Sequence, residues 1–358
     1  MGMSHFQYFW LKSNNILFHK NKHRIPNVHI NWCIAELRNN FLRKYWWKRT
    51  SIPDQFICTF GINLYSKPLI LQKAISYFFG DFNFKTQSLW FKKALYCFLL
   101  IQCCYWLFYY DLLFGVNSIV YTRPYSIGFF KDLAFFLYNR SSPLSSLWFI
   151  ILLICLCGSA LLKFRIHFVF DLVIWWIVLN IHNKIYPTLT GGDYLLNQLL
   201  FFTIFITDKF NSGEDKKGQI VKCLHNFGVL AIMIQVCIVY FFSAITKLTD
   251  ANWLNGTAII MTSQVDHFSL PFVSDLAKNS GWLFVIMNYI VLIYQALFPL
   301  VVWIKKIKKP FIIIGVLMHL YIAFIIGLVS FGLIMILCYI YFWPEKKKLW
   351  MSPFGVSD

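Results

Sequence analysis

Charged residues are scarce in this sequence, and acidic residues are the scarcest of them. Lys, Arg, Asp and Glu make up 13% of the 358 residues, whereas about a quarter is usual for a soluble domain. Acidic residues number 15 against 33 basic ones, which gives a formal net charge of +18. Hydrophobic residues reach 58%, and the mean hydropathy is +0.58. This composition argues against an ordinary soluble domain.

The motifs of soluble enzymes are also missing. The sequence contains no G-x-x-x-x-G-K, G-x-S-x-G, H-E-x-x-H or G-x-G-x-x-G, so nucleotide-driven transport, metalloprotease chemistry and a serine-hydrolase mechanism have no support. Among the ten cysteines there is no C-x-x-C pair and no Cys/His spacing of a metal site. Most of them sit in apolar runs, where a thiol behaves as a small hydrophobe. We therefore expect neither a bound metal nor a disulfide framework.

Long uncharged apolar runs dominate much of the chain. A helix needs about 20 apolar residues to cross a hydrocarbon core of about 30 Å, and several runs approach that length. The sequence therefore predicts an all-α integral membrane protein, a polytopic helical bundle of about eight transmembrane helices in a lipid bilayer. Six spans are predicted at 94–114, 147–162, 166–181, 194–206, 227–246 and 282–304.

The last apolar run, residues 311–342, leaves the number of spans open. It is too long for one ordinary span and barely long enough for two. The basic cluster Lys346–Lys348 follows it. Because basic residues collect on the cytoplasmic side, this cluster requires an even number of spans. We split the run near 327–332 and count eight spans; one long tilted helix with an external tail is the alternative.

Three segments make up the predicted domain organisation. Residues 1–93 are a basic, aromatic-rich cytoplasmic or interfacial leader, residues 94–342 the transmembrane domain, and residues 343–358 a short cytoplasmic tail. Stretches 40–50 and 67–80 of the leader mix basic residues with aromatic and aliphatic ones. That mixture suits short amphipathic helices that lie on an anionic leaflet. A flexible, solvated arm is the alternative.

The basic residues predict which way the chain crosses the membrane. Cationic flanks beside apolar spans are typical of cytoplasmic loops, so we interpret the net charge as a membrane signal and not as a nucleic-acid site. The amino terminus and every second loop then lie in the cytoplasm, and the loops 191–193 and 247–279 face outward. Frequent Phe, Ile, Asn and Lys indicate an AT-rich, bacterial genome. We therefore expect a multi-pass protein of the bacterial inner membrane.

Polar side chains at the start of the fourth predicted span form the first candidate group. Ionisable and amide groups inside a membrane are costly, so each is a candidate for function. Gly191 and Gly192 permit a tight turn before Asp193, and Asn197 and Gln198 follow. Asp193 can cap the helix that begins there. Alternatively, Asp193 and Gln198 contact a substrate or partner.

A second polar group surrounds Lys247. Tyr240, Ser243 and Lys247 follow an i, i+3, i+7 spacing, so they share one helical face that points toward the outer boundary. Partial desolvation turns a lysine into a usable base or amine nucleophile. The alternative is a snorkelling lysine whose ammonium lies among lipid headgroups. Further members of this candidate pocket are Gln235, Trp253 and Gly256.

Three histidines need separate interpretation. His319 lies inside the last apolar run, where a lipid-facing position is unfavourable. It either bonds neighbouring helices as a neutral imidazole or acts in catalysis. Asp266 and His267 resemble an acid–base pair in composition only, because adjacent loop residues need not face each other. His167 and Asp171 are spaced i, i+4 on one predicted helix face.

Three segments, in this order, resemble a known family: GGDYLLNQLLFF (191–202), IVYFFSAITKLTDANWLNGTAI (238–259) and MHLYIAFIIGLVSFGLIMI (318–336). They look like the horizontally transferred transmembrane (HTTM) domain, which is related to the membrane part of vitamin K-dependent gamma-carboxylase. The resemblance covers about residues 94–342. Within that family, the runs WLNGTAI and IGLVSFGLIMI resemble the B component of sporulation-delaying toxin systems.

The resemblance implies a function. Such a B component is a multi-pass membrane factor that, with a small membrane partner, helps to convert a secreted precursor into a mature antibacterial peptide. The carboxylase branch instead uses an outward-facing lysine to deprotonate a reduced quinone of the vitamin K type. Lys247 matches that lysine, and His319 matches a histidine of a late span. Gln295 stands where many relatives carry a glutamate, and no large domain is expected after residue 342.

Three functional hypotheses follow from the sequence. The first is maturation of a secreted peptide-toxin precursor at the outer face of the membrane. The second is a carboxylase-type enzyme that uses a reduced quinone with Lys247 as base, and the third is a passive membrane scaffold or immunity protein. Whether the chain is an enzyme stays open. The candidate catalytic residues are Lys247 and His319, and the candidate pocket residues are Asp193, Gln198, Gln235, Tyr240, Ser243, Trp253 and Gly256.

Overall fold

The computed structural model describes residues 69–115, 118, 120, 143–162, 168–210, 215–265 and 270–343. Every regular element in those ranges is a helix, which confirms the predicted all-α class. Predictions about the leader up to residue 68, about His167, about Asp266 and His267, and about the tail beyond residue 343 fall outside the described ranges.

The chain divides into two compact units. Residues 1–80 and 214–216 form the first unit, and residues 81–213 and 217–358 form the second. Helix α1 (Leu69–Phe79) belongs to the first unit and lies within a stretch for which the sequence predicts a short helix. Its position on a membrane leaflet stays a prediction.

The described part of the second unit is a series of helices, of which α7 begins at Lys216, one residue before the second stretch of that unit. In chain order these are α2 (Lys85–Phe108), α3 (Tyr110–Phe114), α4 (Pro143–Leu161), α5 (Phe168–Lys184), α6 (Gly191–Thr203), α7 (Lys216–Leu248), α8 (Ala251–Leu254), α9 (Ala258–Ser263), α10 (Pro271–Asn279), α11 (Gly281–Val301), α12 (Lys305–Phe324) and α13 (Val329–Cys338). Short 3-10 turns at Tyr186–Thr188 and Tyr339–Tyr341 follow α5 and α13.

Five of the described helices are long and apolar enough to cross a membrane, namely α2, α4, α7, α11 and α12. They support a multi-pass membrane protein. The predicted count of eight is not confirmed. The other three spans were expected where α5, α6 and α13 lie, and these helices have only 17, 13 and 10 residues. Eight crossings therefore stay a prediction.

Two helices begin earlier than the apolar runs that predicted them. α2 starts at Lys85 and not at residue 94, and α12 starts at Lys305 and not at residue 311. The first turns of both helices carry lysines, and lysine has a good helix propensity. Pro310 is accommodated inside α12. The predicted starts mark the positions where the sequence becomes apolar. Each helix begins earlier, in the basic segment that precedes the apolar run.

The long apolar run breaks close to the position that the sequence predicts. α12 ends at Phe324, and Gly327 adopts a φ of 81°. Glycine takes this left-handed conformation without strain, and such a residue commonly ends a helix. α13 then packs back against α12. A Cβ at Gly332 would lie 2.7 Å from the Cβ of Ala323, so the two helices approach closely at that glycine.

Hydrogen bonds between helices show how they are oriented. Lys92 near the start of α2 bonds Asp171 near the start of α5, and Trp106 near the end of α2 packs against His182 near the end of α5, so these helices run parallel. Ser243 near the end of α7 bonds Gln295 on α11. Asn288, earlier on α11, bonds a carbonyl of the loop that follows α7. The helices α7 and α11 therefore run antiparallel.

The bundle consequently has two chemically different ends. His225 near the start of α7 bonds the carbonyl of Asn83, just before α2, and α12 follows α11, which is antiparallel to α7. α2, α7 and α12 therefore start at one end, which we call the basic end because their first turns carry several lysines. The opposite end, which contains the last turn of α7, is called the Lys247 end. α6 and α13 start near this end, where Thr190 bonds Ser330.

Two apolar cores hold the second unit together. The larger core packs the long helices with each other, and its fully buried side chains include Phe91, Leu99 and Trp106. The smaller core joins α9, α10 and α11 through Ile259, Val273, Ala277 and Phe284. We call α8, α9 and α10 together the cap, since they follow α7 at the Lys247 end.

Candidate functional site

Lys247 lies in the last turn of α7, and its amine is held by groups from three helices. Nζ donates a hydrogen bond to Oγ of Ser243 at 2.9 Å, and this hydroxyl donates to Oε1 of Gln295 at 2.9 Å. The indole ring of Trp253 in α8 lies 4.8 Å from Nζ, measured to the ring centroid. We call Lys247, Ser243, Gln295 and Trp253 the Lys247 site. It joins α7, α8 and α11 at one end of the bundle.

Side chains of α11 hold α8, which carries Trp253, and the turn that follows it. Nδ2 of Asn288 donates to the carbonyl of Trp253, and the hydroxyl of Tyr289 donates to the next carbonyl, each at 2.8 Å. Gly256 lies in this turn with a φ of 77°, and a Cβ there would fall 2.9 Å from Cγ1 of Val285. A glycine is needed at that position for conformation and for space. The position of the indole over the amine is therefore well determined.

The position of the Lys247 amine differs from that of a snorkelling lysine. A snorkelling side chain extends its charge outward to the headgroups, whereas Nζ bonds a hydroxyl one helical turn deeper along α7. Among the described residues, no carboxylate lies within 4.0 Å of this amine. A hydroxyl stabilises an ammonium less than a carboxylate does. The amine can thus donate to a bound group or, when neutral, accept a proton from it.

A buried group of hydroxyls lies deeper in the bundle. The hydroxyl of Tyr240 lies 2.6 Å from Nε2 of His319 and also bonds the hydroxyl of Tyr339, which lies 3.1 Å from that of Tyr294. We call these four residues the hydroxyl cluster. It connects α7, α11 and α12 with the turn after α13. A Cβ at Gly315 would collide with the hydroxyls of Tyr294 and Tyr339, so the glycine leaves room for the cluster.

The two predicted catalytic residues belong to different polar groups. Tyr240 and Ser243 lie one turn apart on α7, so the hydroxyl cluster is about 5 Å deeper than Ser243. The predicted i, i+3, i+7 face is present, but its members divide between the two groups. Lys247 bonds Ser243, whereas His319 bonds Tyr240. Nδ1 of His319 is buried and has no hydrogen-bond partner among the described residues.

Asp193 stabilises the start of α6. Its Oδ2 accepts hydrogen bonds from the backbone amide and the hydroxyl of Thr190, at 2.7 Å and 2.8 Å. Its Oδ1 accepts from Nε2 of Gln102 on α2 at 3.0 Å. Thr190 also bonds Ser330 at 2.8 Å, which connects this helix start to α13. The carboxylate therefore has the helix-capping geometry. Contact with a substrate or partner stays a prediction.

Gln198 and Gln235 bond each other across α6 and α7, with Gln235 as the donor. Gln235 lies about 18 Å from Lys247 along the axis of α7. This amide pair is thus inside the bundle and away from the Lys247 site. The residues predicted as one pocket form four separate polar groups, of which the Lys247 site alone combines α7, α11 and the cap.

A buried ion pair joins α2 to α5 and was not among the predicted site residues. Nζ of Lys92 donates to Oδ2 of Asp171 and to the carbonyl of Ile206, each at 2.8 Å. Tyr96 donates to the other carboxylate oxygen. The side chains of Lys92 and Asp171 are 5% and 4% exposed. An acidic residue inside an apolar run signals such a partner, but Lys92 fell within the predicted leader.

A second buried polar contact, between α5 and α6, was also missed. Nδ1 of His182 lies 3.1 Å from Oδ1 of Asn197, and the imidazole packs edge-on against Trp106. His182 stands at the end of an apolar run, where sequence reasoning treats it as a boundary residue. Within the described ranges, no group of three or more His, Cys, Asp or Glu residues could hold a metal ion.

The fold and the site define a multi-pass helical membrane protein whose Lys247 site lies at one end of the bundle. The chain is 28% identical over 196 residues to the sporulation-delaying protein SdpB of Bacillus subtilis (strain 168), which covers 50% of this chain and 60% of that protein. It is 30% identical over 127 residues to the uncharacterized protein YitO of the same organism, which covers 34% of this chain and 40% of that protein.

These similarities extend over part of each protein. The chain spans less than two thirds of the length of the curated relatives it matches. The similarity to SdpB agrees with the resemblance to sporulation-delaying proteins. No family model matches the chain, so the HTTM assignment stays a prediction. No solved structure matches it significantly.

Proposed function

We propose that this chain is the membrane component of a peptide-toxin system of the sporulation-delaying kind. In this role it takes part in maturing a secreted peptide precursor at the outer face of the bacterial cell membrane. The observation that carries the proposal is the Lys247 site, in which an amine and a hydroxyl are held at one end of a membrane bundle. Similarity to a sporulation-delaying protein over half of the chain supports the kind of system.

The distribution of lysines supports an outer position for the Lys247 site. The basic end carries a dense set: Lys85, Lys93, Lys216, Lys217, Lys222, Lys305, Lys306, Lys308 and Lys309. The described residues at the opposite end include fewer: Lys184, Lys247 and Lys278. Basic residues flanking spans are retained in the cytoplasm. We therefore assign the basic end to the cytoplasm and the Lys247 end to the outside.

Within the site, Lys247 is the proposed contact to the precursor. The Ser243 hydroxyl gives its proton to Gln295, so its oxygen is free to accept the hydrogen bond from Nζ. Gln295 is therefore a positioning residue that fixes the Lys247 amine through Ser243. An ammonium held in this way can donate further hydrogen bonds to a peptide carbonyl or carboxylate.

The proposal includes a small membrane partner, which the resemblance to a two-component maturation system implies. A direct test expresses the precursor and the small partner with and without this chain, and measures mature peptide in the medium by mass spectrometry. Mature peptide is expected only in the cells that contain this chain. Equal amounts of mature peptide without the chain would refute a role in maturation.

One observation favours a second candidate, a carboxylase-type enzyme that uses a reduced quinone. Among the described residues no carboxylate pairs with Lys247, so no acidic group there favours the charged amine. The residue types of the site are those that bind a quinol, since the aromatic ring of Trp253 lies beside the polar atoms of Lys247 and Ser243. Lys247 would accept the hydroxyl proton of the quinol as the base, and the quinol would give its electrons to dioxygen, the oxidant that this reaction requires.

The second candidate makes its own prediction. Purified protein should consume a vitamin K-type quinol when dioxygen is supplied as the oxidant, and the substitution Lys247→Ala should abolish that consumption. Equal rates of quinol consumption by the parent and by Lys247→Ala would reject the mechanism. Mature peptide produced at the normal level while no quinol is consumed would favour the first candidate.

A further inference from the structure

The apolar sector of α10 is wider than the part that the protein covers. Val273 and Ala277 are buried in the small core of the cap, next to Phe284. Phe272 and Leu276 are also one turn apart and share a second stripe of the helix. Their side chains are 61% and 43% exposed. α10 thus has an exposed apolar stripe beside its buried one.

Polar residues occupy the remaining side of α10. Asp275 and Lys278 form an exposed ion pair with 3.6 Å between Nζ and Oδ1, and the neighbouring Asn279 is exposed as well. An exposed pair of this kind adds little stability, but it identifies the side of the helix that faces water. α10 therefore has three sectors, of which one is buried against the protein, one is polar and exposed, and one is apolar and exposed.

The element that follows α10 in the chain is a membrane-spanning helix. α11 begins at Gly281, and its exposed side chains near that end include Trp282 (68% exposed) and Ile286. Exposed apolar side chains of a spanning helix face lipid, and a tryptophan near its end is typical of the membrane–water interface. Only residues 277–281 separate the exposed apolar stripe of α10 from the first lipid-facing side chain of a spanning helix, so α10 lies next to the membrane.

We propose that α10 is an interfacial helix that inserts Phe272 and Leu276 into the lipid at the Lys247 end of the bundle. Amphipathic helices with this arrangement lie in the membrane plane, with the apolar side at the boundary between headgroups and acyl chains. α10 has nine residues, so it is about 14 Å long and too short to cross the bilayer. The proposed lipid contact does not depend on the peptide-toxin role.

Lipid contact at α10 affects the Lys247 site through the small core. Trp253 packs against the same core as Val273 and Ala277, and its ring covers Nζ of Lys247. Anchoring α10 in the interface therefore restrains the cap, and the cap restrains the indole over the amine. A loosened α10 would allow Trp253 to move and expose the site.

Single cysteines on the two exposed stripes of α10 test the proposal. Phe272→Cys and Leu276→Cys probe the apolar stripe, and Asp275→Cys and Lys278→Cys are matched controls on the polar stripe of the same helix. The chain is expressed alone, and membranes are opened by freeze–thaw so that a water-soluble polymer maleimide reaches both faces. Because the chain has ten native cysteines, labelling of the introduced cysteine is measured as the increase in the number of attached polymer molecules over the unsubstituted chain. A second measurement places spin labels at the same positions and compares collisions with oxygen and with a water-soluble nickel complex.

The proposal predicts labelling of positions 275 and 278 in the opened membranes without detergent, and labelling of positions 272 and 276 only after detergent is added. Spin labels at 272 and 276 should collide more with oxygen than with the nickel complex. Equal labelling of all four positions in membranes of the chain alone would overturn the proposal. If positions 272 and 276 become protected only when the precursor or the small partner is co-expressed, the stripe binds a protein, and the lipid assignment is wrong.

Discussion

The Tyr240 hydroxyl lies 2.6 Å from Nε2 of His319, although the two residues are 79 positions apart in the chain. Each side chain is 1% exposed and comes from a helix long and apolar enough to span a membrane. A buried polar group without a partner is costly in an apolar medium. The pair therefore fixes the depth of α7 relative to α12, and Tyr339 and Tyr294 extend the contact to the neighbouring elements.

The substitution Gly315→Ala should disrupt the hydroxyl cluster. The added methyl group would collide with the hydroxyls of Tyr294 and Tyr339, so either the tyrosines or α12 must move. We expect the free energy of unfolding to fall by about 1–3 kcal/mol. The measurement is the thermal unfolding midpoint of the protein in detergent, followed by intrinsic fluorescence.

Gly158→Ala is the matched control for that experiment. Gly158 also lies in an apolar helix, but a Cβ at this position would meet no atom of the described residues within 4 Å. Alanine has the higher helix propensity, so this substitution should leave the unfolding midpoint unchanged or raise it. A fall of the same size in both variants would show that glycine replacement, and not the cluster, causes the loss.

Removing the cation from the buried ion pair should destabilise the bundle strongly. Lys92→Met leaves the Asp171 carboxylate buried without its cationic partner. Breaking a buried pair in this way costs about 3–5 kcal/mol. Denaturant titration of the purified protein measures the effect, and Lys93→Met on the exposed side of the same helix is the control.

The double substitution Lys92→Met with Asp171→Leu separates charge from packing. It removes both members of the buried pair. The second carboxylate beside Lys92, Asp208, lies 3.3 Å from Nζ but is 36% exposed and can be hydrated, so part of the lost stability should return. The hydroxyl of Tyr96 then loses its acceptor, which keeps the recovery incomplete. A double variant that is less stable than Lys92→Met would contradict the assignment of the loss to the unpaired carboxylate.

The start of α6 should not tolerate a side chain at Gly192. A Cβ there would fall 2.5 Å from the backbone N and Cα of Phe331, and backbone atoms of α13 cannot give way easily. Gly192→Ala is expected to cost at least about 1–3 kcal/mol. At the adjacent Gly191 the nearest atom to a Cβ is 3.8 Å away. Unfolding midpoints of Gly192→Ala and Gly191→Ala should therefore differ, and equal midpoints would contradict the close approach of α6 to α13.

Much of the fold could be predicted because helix formation and hydropathy are local properties. Gly327 and the charge pattern placed the break between α12 and α13 close to its position in the structure. Helical spacing also placed Tyr240, Ser243 and Lys247 correctly on one face. The starts of α2 and α12 were placed too late, because a helix can begin in a basic segment before its sequence becomes apolar.

The partners of the polar residues could not be predicted in the same way. The acceptor for Ser243 is Gln295, and the partner of His319 is Tyr240. Lys92 pairs with Asp171 across 79 positions of sequence. Such contacts depend on which helices are neighbours and at what depth they meet. The periodicity of a single sequence indicates which residues share a helix face, but it does not indicate which helices contact each other. For this reason residues predicted as one pocket belong to separate groups.

The most direct measurement compares Lys247→Ala with Lys278→Ala in cells that express the precursor and the small partner. Both substitutions remove a lysine at the same end of the bundle, but Lys278 lies on the exposed side of α10 and forms only a surface ion pair. Membrane insertion of each variant is verified by fractionation, and mature peptide is quantified in the medium. The proposed function predicts that Lys247→Ala inserts normally and yields no mature peptide, whereas Lys278→Ala yields the normal amount. Normal maturation with Lys247→Ala would contradict the role of the Lys247 site and favour a passive scaffold.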